Sequence, residues 1–190
     1  MDIPDQQLYI GAAVLSIGLI VGAVALSGQD DSGDLEASER QSVQVADESL
    51  YSGQSFGDLN DNVVSGGVPQ DGIPSIDDPN FVSGDEANLD DGDIVFGIEH
   101  EGEIRAYPQR ILVSHEIVND EFGGETHAVT YCPLTATAMG QKSGAEVGVS
   151  GNLVNSNLIM YDRDTESYWP QIMSTAISGE KEGESMRSSV

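Results

Sequence analysis

Leu8–Leu26, reading LYIGAAVLSIGLIVGAVAL, carries no charge and limits what this chain can fold into more than any other stretch. A helix of this length reaches about 28 Å at 1.5 Å per residue, close to the ~30 Å hydrocarbon core of a bilayer. A core helix of a water-soluble domain would show a polar face, and this run shows none. Ala23-Val24-Ala25 has the Ala-x-Ala form of a signal-peptidase site, but Asp2 and Asp5 stand where a basic n-region belongs. Residues 1–27 are therefore read as an N-terminal membrane anchor or signal sequence, with an uncleaved anchor preferred. The partner of Leu8–Leu26 is the lipid bilayer. The first basic residue after the run is Arg40, so flanking charge does not fix the orientation. The expectation is a single pass through the cell membrane with the rest of the chain outside the cytoplasm.

From residue 28 to 66 the chain changes to Ser, Gly, Asp, Glu and Gln, with Arg40 as its base and few large apolar side chains. Such a segment cannot bury enough surface to offset its ordering entropy. It is expected to be a disordered acidic tether. The whole chain holds 33 Asp and Glu against 7 Lys and Arg, a formal net charge of −26. A composition this acidic could signal disorder, but 38% of the residues are hydrophobic and many fall in patterned runs. An acidic surface on a folded, salt-adapted domain accounts for both observations. Nucleic acid is excluded as a partner, because so few bases could not neutralise a row of phosphates.

Residues 67–190 carry the patterns of a folded domain. Ile94–His100 alternates Ile94, Phe96 and Ile98 on one face, and Glu101-Gly102 separates it from Glu103–Tyr107, which predicts a hairpin. Pro108 suits the first turn of a helix, and Ile111, Leu112, His115 and Val118 follow at helical spacing. Thr126–Tyr131 is a β-branched and aromatic run that Pro133 must stop. Gly148–Gly151 and Asn157–Asp162 read as strands, and Arg163–Thr165 turns into a further hairpin arm ending at Trp169. The predicted fold is mainly β with one or two short helices (α+β), after a transmembrane helix and a disordered linker.

Reactive side chains are scarce. Cys132 is the one cysteine, so no disulfide or dithiol pair can form within the chain. His115 lies on the apolar stripe of the predicted helix, which suits a core or boundary histidine. If the 126–131 strand ends beside that helix, Cys132 and His115 could instead pair as nucleophile and base. His127 shares parity with Val129 and Tyr131, whereas Cys132 should point to the opposite face. A metal held by His115, Cys132 and Glu116 or Asp120 matches no recognised ligand spacing, so no metal or other cofactor is predicted. The runs Asp77-Asp78 and Asp90-Asp91-Gly92-Asp93 lack the order of an EF-hand loop and read as solvated surface. Where bases are rare, each arginine is expected to pair with specific carboxylates. Arg105, Tyr107, Asn119, Asn157 and Arg163 are the candidate polar-site residues.

Several longer stretches, in this order, resemble the family catalogued as domain of unknown function 3179. They are GIPSIDDPNFVS at 72–83, GIEHEGEIRAYPQRIL at 97–112, HEIVNDEFGG at 115–124, VTYCPLTATAM at 129–139 and VSGNLVNSNLIMYDRDTESYWPQ at 149–171. The resemblance implies an exported or membrane-anchored protein, common in salt-loving archaea and in bacteria, with no established activity. Many relatives read Cys-Pro-Leu-Cys where this chain has Cys132-Pro133-Leu134-Thr135. The family domain also continues beyond Gly179, which implies a C-terminally truncated copy. Two functions from different classes follow. The first is a membrane-tethered surface domain with a binding or structural role. The alternative is a thiol-dependent or metal-assisted enzyme using Cys132 and His115, with Asn119 or Asn157 orienting. The sequence does not decide whether the chain is an enzyme.

Overall fold

The structure, a computed structural model, describes residues 7–10 and 55–189. In chain order the elements are β1 (Gln7–Ile10), α1 (Phe56–Asp61), β2 (Val64–Ser65), β3 (Asn80–Ser83), β4 (Val95–His100), β5 (Glu103–Pro108), α2 (Gln109–His115) and β6 (Ile117–Phe122). They continue with β7 (Glu125–Cys132), β8 (Thr137–Lys142), β9 (Val147–Val154), β10 (Asn157–Asp162), β11 (Tyr168–Pro170) and β12 (Arg187–Ser188). The predicted mainly β class with few short helices is what the described residues adopt.

Three four-stranded sheets form, in the orders β3-β1-β5-β4, β12-β8-β7-β6 and β11-β10-β9-β2. The sheet containing β7 lies between the other two, as its alternating side chains reveal. Ala128 and Cys132 join Ile117, Val147, Val149, Leu158, Met160 and Trp169 in one core. Val129 and Tyr131 point the other way, joining Val118, Phe122, Ile98, Tyr107 and Leu112 in a second. Both faces of β7 are thus buried, which explains why THAVTYC reads as a nearly continuous run rather than an apolar–polar alternation. A third cluster, Leu59, Val154, Ile159 and Ile177, seats α1 near β9 and β10.

Short turns set the registers. Gly123 and Gly124, at φ 57° and 83°, join β6 to β7. Positive φ at both central residues gives a turn whose twist matches the flanking strands. Pro133 lies just past the end of β7, as expected of a residue with no N–H for the ladder.

Two boundaries differ from the sequence reading. The helix ends at His115 rather than running to Val118, because Glu116 takes φ 60° and its N–H bonds the Leu112 carbonyl at 2.7 Å. Val118 belongs to β6, opposite Val129. Residues 55–66, assigned to the tether by composition, instead hold α1 and β2. Ser55 and Asp58 form a reciprocal capping box, the Asp58 N–H bonding Ser55 Oγ at 3.1 Å and the Ser55 N–H bonding Asp58 Oδ2 at 2.7 Å. That cap positions Leu59, which is 2% exposed. Leu8, Tyr9 and Ile10, at the start of the predicted membrane run, belong to β1, which pairs parallel with β3 and antiparallel with β5. Residues 11–26 of that run and 28–54 of the tether lie outside the described residues. No helix among the described residues is long and apolar enough to cross a membrane.

Candidate functional site

Arg105 and Tyr107 are two apart on β5 and so share one face, which looks onto β6 of the central sheet. Asp120 on β6 receives both. The Tyr107 hydroxyl donates to Asp120 Oδ2 at 2.5 Å, and Arg105 Nη1 donates to Asp120 Oδ1. The second guanidinium nitrogen of Arg105 bonds Glu103 at 2.8 Å. The guanidinium carbon also lies 4.4 Å from the Phe122 ring centroid and 4.9 Å from that of Phe81. Two stacked aromatic faces and two carboxylates hold this arginine in one pose. Tyr107 is fully buried. Burial first, then the adjacent Asp120 charge, pushes its hydroxyl well above the usual tyrosine range, so it remains a protonated donor.

Asn119, the neighbouring residue on β6, points to the opposite side. Its amide nitrogen donates to Asp77 at 2.7 Å and to the Val147 carbonyl at 2.9 Å, while its oxygen accepts from the Val147 N–H at 2.9 Å. Asp77 in turn pairs with Arg163 at 3.0 Å, and Arg163 also donates to Ser75 at 2.9 Å. Burial alone would lower the Arg163 pKa, but the charge of Asp77, followed by Tyr161, Asp71 and Glu146, holds it above the usual arginine value.

These two networks bound a cleft of about 470 Å³ lined by Asp77, Asp78, Phe81, Arg105, Asn119 and Asp120, to which Glu121 and Glu146 add carboxylates. Four of the five candidate polar residues therefore converge: Arg105 and Asn119 line the cleft, while Tyr107 and Arg163 hold its carboxylates. Asn157 does not join them. It is 5% exposed and bonds Gln171 at 2.9 Å and Thr135 at 3.2 Å, while accepting from the Ile172 N–H at 3.0 Å. Its bonds tie β10 to the segment after β11.

His115 is 6% exposed, with Nδ1 2.8 Å from the Pro74 carbonyl oxygen. Cys132 is 1% exposed in the core between β7 and the β9–β10 sheet, its thiol directed at the Ser156 carbonyl at 3.9 Å. Each of these bonds runs to a different backbone carbonyl.

Asp77 and Asp120 are the cleft residues that sequence reasoning undervalued. Asp120 shares strand parity with Val118 and Phe122, which could have marked it as inward-facing once Ile117–Phe122 was read as a strand. Asp77 gave no comparable signal, because its partner Asn119 is 42 residues away.

The family described as "Protein of unknown function (DUF3179)" matches residues 70–190, more than half of the chain. No curated protein and no solved structure matches it.

Proposed function

We infer a role for this chain from the premise that it belongs to the DUF3179 family, and from the chemistry of the cleft between β5 and β6. It is a membrane-tethered, salt-adapted binding domain facing the outside of the cell. The cleft takes a small, hydrogen-bonding ligand with a cationic group. The observation that carries this reading is how the cleft's charges are already committed. Arg105 is spent on Asp120 and Glu103, and Arg163 on Asp77. What remains for a ligand is carboxylate, chiefly Asp78 and Glu121, beside the apolar face of Phe81, while Glu146 is shared with Arg163 at 3.8 Å. An anion would meet net repulsion there, whereas a cation flanked by donors and acceptors would not.

A thiol reaction at Cys132 would first require its core to open, since the sulfur is 1% exposed. The binding reading needs no such rearrangement.

Thermal unfolding of the full chain in detergent and molar KCl, with choline, arginine or spermidine added, tests the cleft. A ligand present at 100 times its Kd should stabilise the protein by about 2.7 kcal/mol. An Asp78→Asn/Glu121→Gln double variant should lose that gain. The reading fails if no cation of this set stabilises the chain, or if the double variant responds as the parent does. The tether has its own test. The full chain should stay in the membrane pellet through an alkaline carbonate wash and be released by detergent. Recovery in the soluble fraction with residues 1–27 intact would refute it.

A further inference from the structure

His127 on β7 is fully buried, and its Nε2 has no hydrogen-bond partner among the described residues. Leaving a buried polar nitrogen unsatisfied is costly, so the atom needs a reason to be there. Its other nitrogen, Nδ1, is 2.7 Å from the Ser189 hydroxyl. Ser189 is itself fixed by a 2.9 Å bond from its N–H to the Gly140 carbonyl of β8. With Nδ1–H donated to that hydroxyl, Nε2 presents a bare lone pair.

Two further metal-ligating side chains stand beside this ring. His100, at the end of β4, brings its ring centroid to 4.6 Å from that of His127. Glu125, two residues before His127 on the same face of β7, places Oε2 3.8 Å from His100 Nε2. One donor atom from each of the three lies within 4.8 Å of the others. Phe122 walls the group, with centroids 5.1 Å from His127 and 6.1 Å from His100. Glu125 Oε1 is held by Lys142, which leaves Oε2 as the free oxygen.

We propose that His100, Glu125 and His127 form a binding site for a divalent transition metal of the zinc type, with a fourth position open to solvent or ligand. Two imidazoles and one carboxylate are a donor set that zinc accepts with three protein ligands and a water. The support expected behind such ligands is present, with the Ser189 hydroxyl able to accept from a His127 Nδ1–H and Lys142 orienting the carboxylate. Donor atoms around tetrahedral zinc stand about 3.3 Å apart, so separations of up to 4.8 Å must close by up to about 1.5 Å. His100 and Glu125 have the freedom to do so, at 25% and 42% side-chain exposure, while the buried His127 stays fixed. The Lys142 charge lowers the affinity without taking a coordination position.

The test uses the full chain in detergent and molar KCl, which suppresses loose binding to surface carboxylates. Zinc chloride is titrated calorimetrically, and cobalt(II) is followed by its visible absorption. About one equivalent of zinc should bind per chain, and cobalt should give the intense bands of a tetrahedral site with nitrogen donors. His100→Gln and Glu125→Gln, both at partly exposed positions, should each weaken zinc about 10-fold or more. Ser189→Ala should weaken it about 10-fold through loss of ligand orientation. His115→Gln, which removes the histidine outside the group, should leave the affinity unchanged. No saturable zinc binding below millimolar concentration overturns the proposal. So does stoichiometric binding that His100→Gln and Glu125→Gln leave unaltered. If His127→Gln fails to fold, those two variants still decide the matter.

Discussion

Asp120 shows how a single carboxylate can tie two sheets together. It is 7% exposed and accepts from both Tyr107 and Arg105, which reach it from the neighbouring sheet. Asp120→Asn removes the negative charge but keeps the shape, leaving a buried tyrosine and a constrained guanidinium with a weaker acceptor. The expected loss is about 2–3 kcal/mol, within the range for hydrogen bonds to charged groups, measured by urea unfolding in molar KCl. Asp162, 1% exposed, gives the pH-dependent counterpart. Burial alone would raise its pKa, but the Trp169 indole N–H at 3.0 Å, the Thr165 hydroxyl and amide, and Lys181 outweigh that and hold it below the usual carboxylate value. A depressed folded-state pKa contributes stability above the unfolded pKa of about 3.9 and loses it as pH falls through the folded value. Asp162→Asn should therefore cost about 1.5–3 kcal/mol at pH 7, and the gap to the parent should narrow steadily below about pH 4. A gap independent of pH would show that the charge contributes nothing.

At the scale of elements, backbone conformation sorts the glycines. Gly151 in β9 sits at φ 78°, and a Cβ there would lie 2.2 Å from the Val68 carbonyl oxygen. All three of the nearest atoms are backbone of Val68 and Pro69, so no flexible side chain can give way. Gly124 in the β6–β7 turn is at φ 83° with open space around it. Gly124→Ala should cost only the left-handed penalty of about 1–2 kcal/mol, and Gly151→Ala clearly more, with thermal melting reading the order. Equal losses would mean that the Val68 segment moves aside easily. The strands were largely legible because local pattern dictates them, as at the β4–β5 hairpin and where Pro133 follows β7. The helix limit was not. Val118 continues the spacing of Ile111, Leu112 and His115 by coincidence, since a strand buried on the same core also demands an apolar residue there. Ser55 and Asp58 stand at capping-box spacing, but the acidic composition around them hid both that cap and the buried Leu59 it serves.

For the whole molecule, a central sheet buried on both faces means that partners come from far along the chain. Asn119 meets Asp77 across 42 residues, and His127 meets Ser189 across 62. No local pattern encodes such pairs, so the rare arginines could be named as candidates while the carboxylates they pair with could not. The outside of this fold carries most of a formal charge of −26. Raising KCl from about 0.1 M to about 1 M shortens the screening length from about 10 Å to about 3 Å. Urea midpoints should therefore climb through that range. A flat or falling midpoint would argue against a surface tuned to salt. The lone thiol also gives this protein a reporter that needs no engineering. Cys132 is sealed between two layers, so an alkylating reagent must wait for those layers to part. The labelling rate in pulse experiments then clocks the opening of the sandwich itself, without the dyes or tags that a strongly acidic surface would disturb.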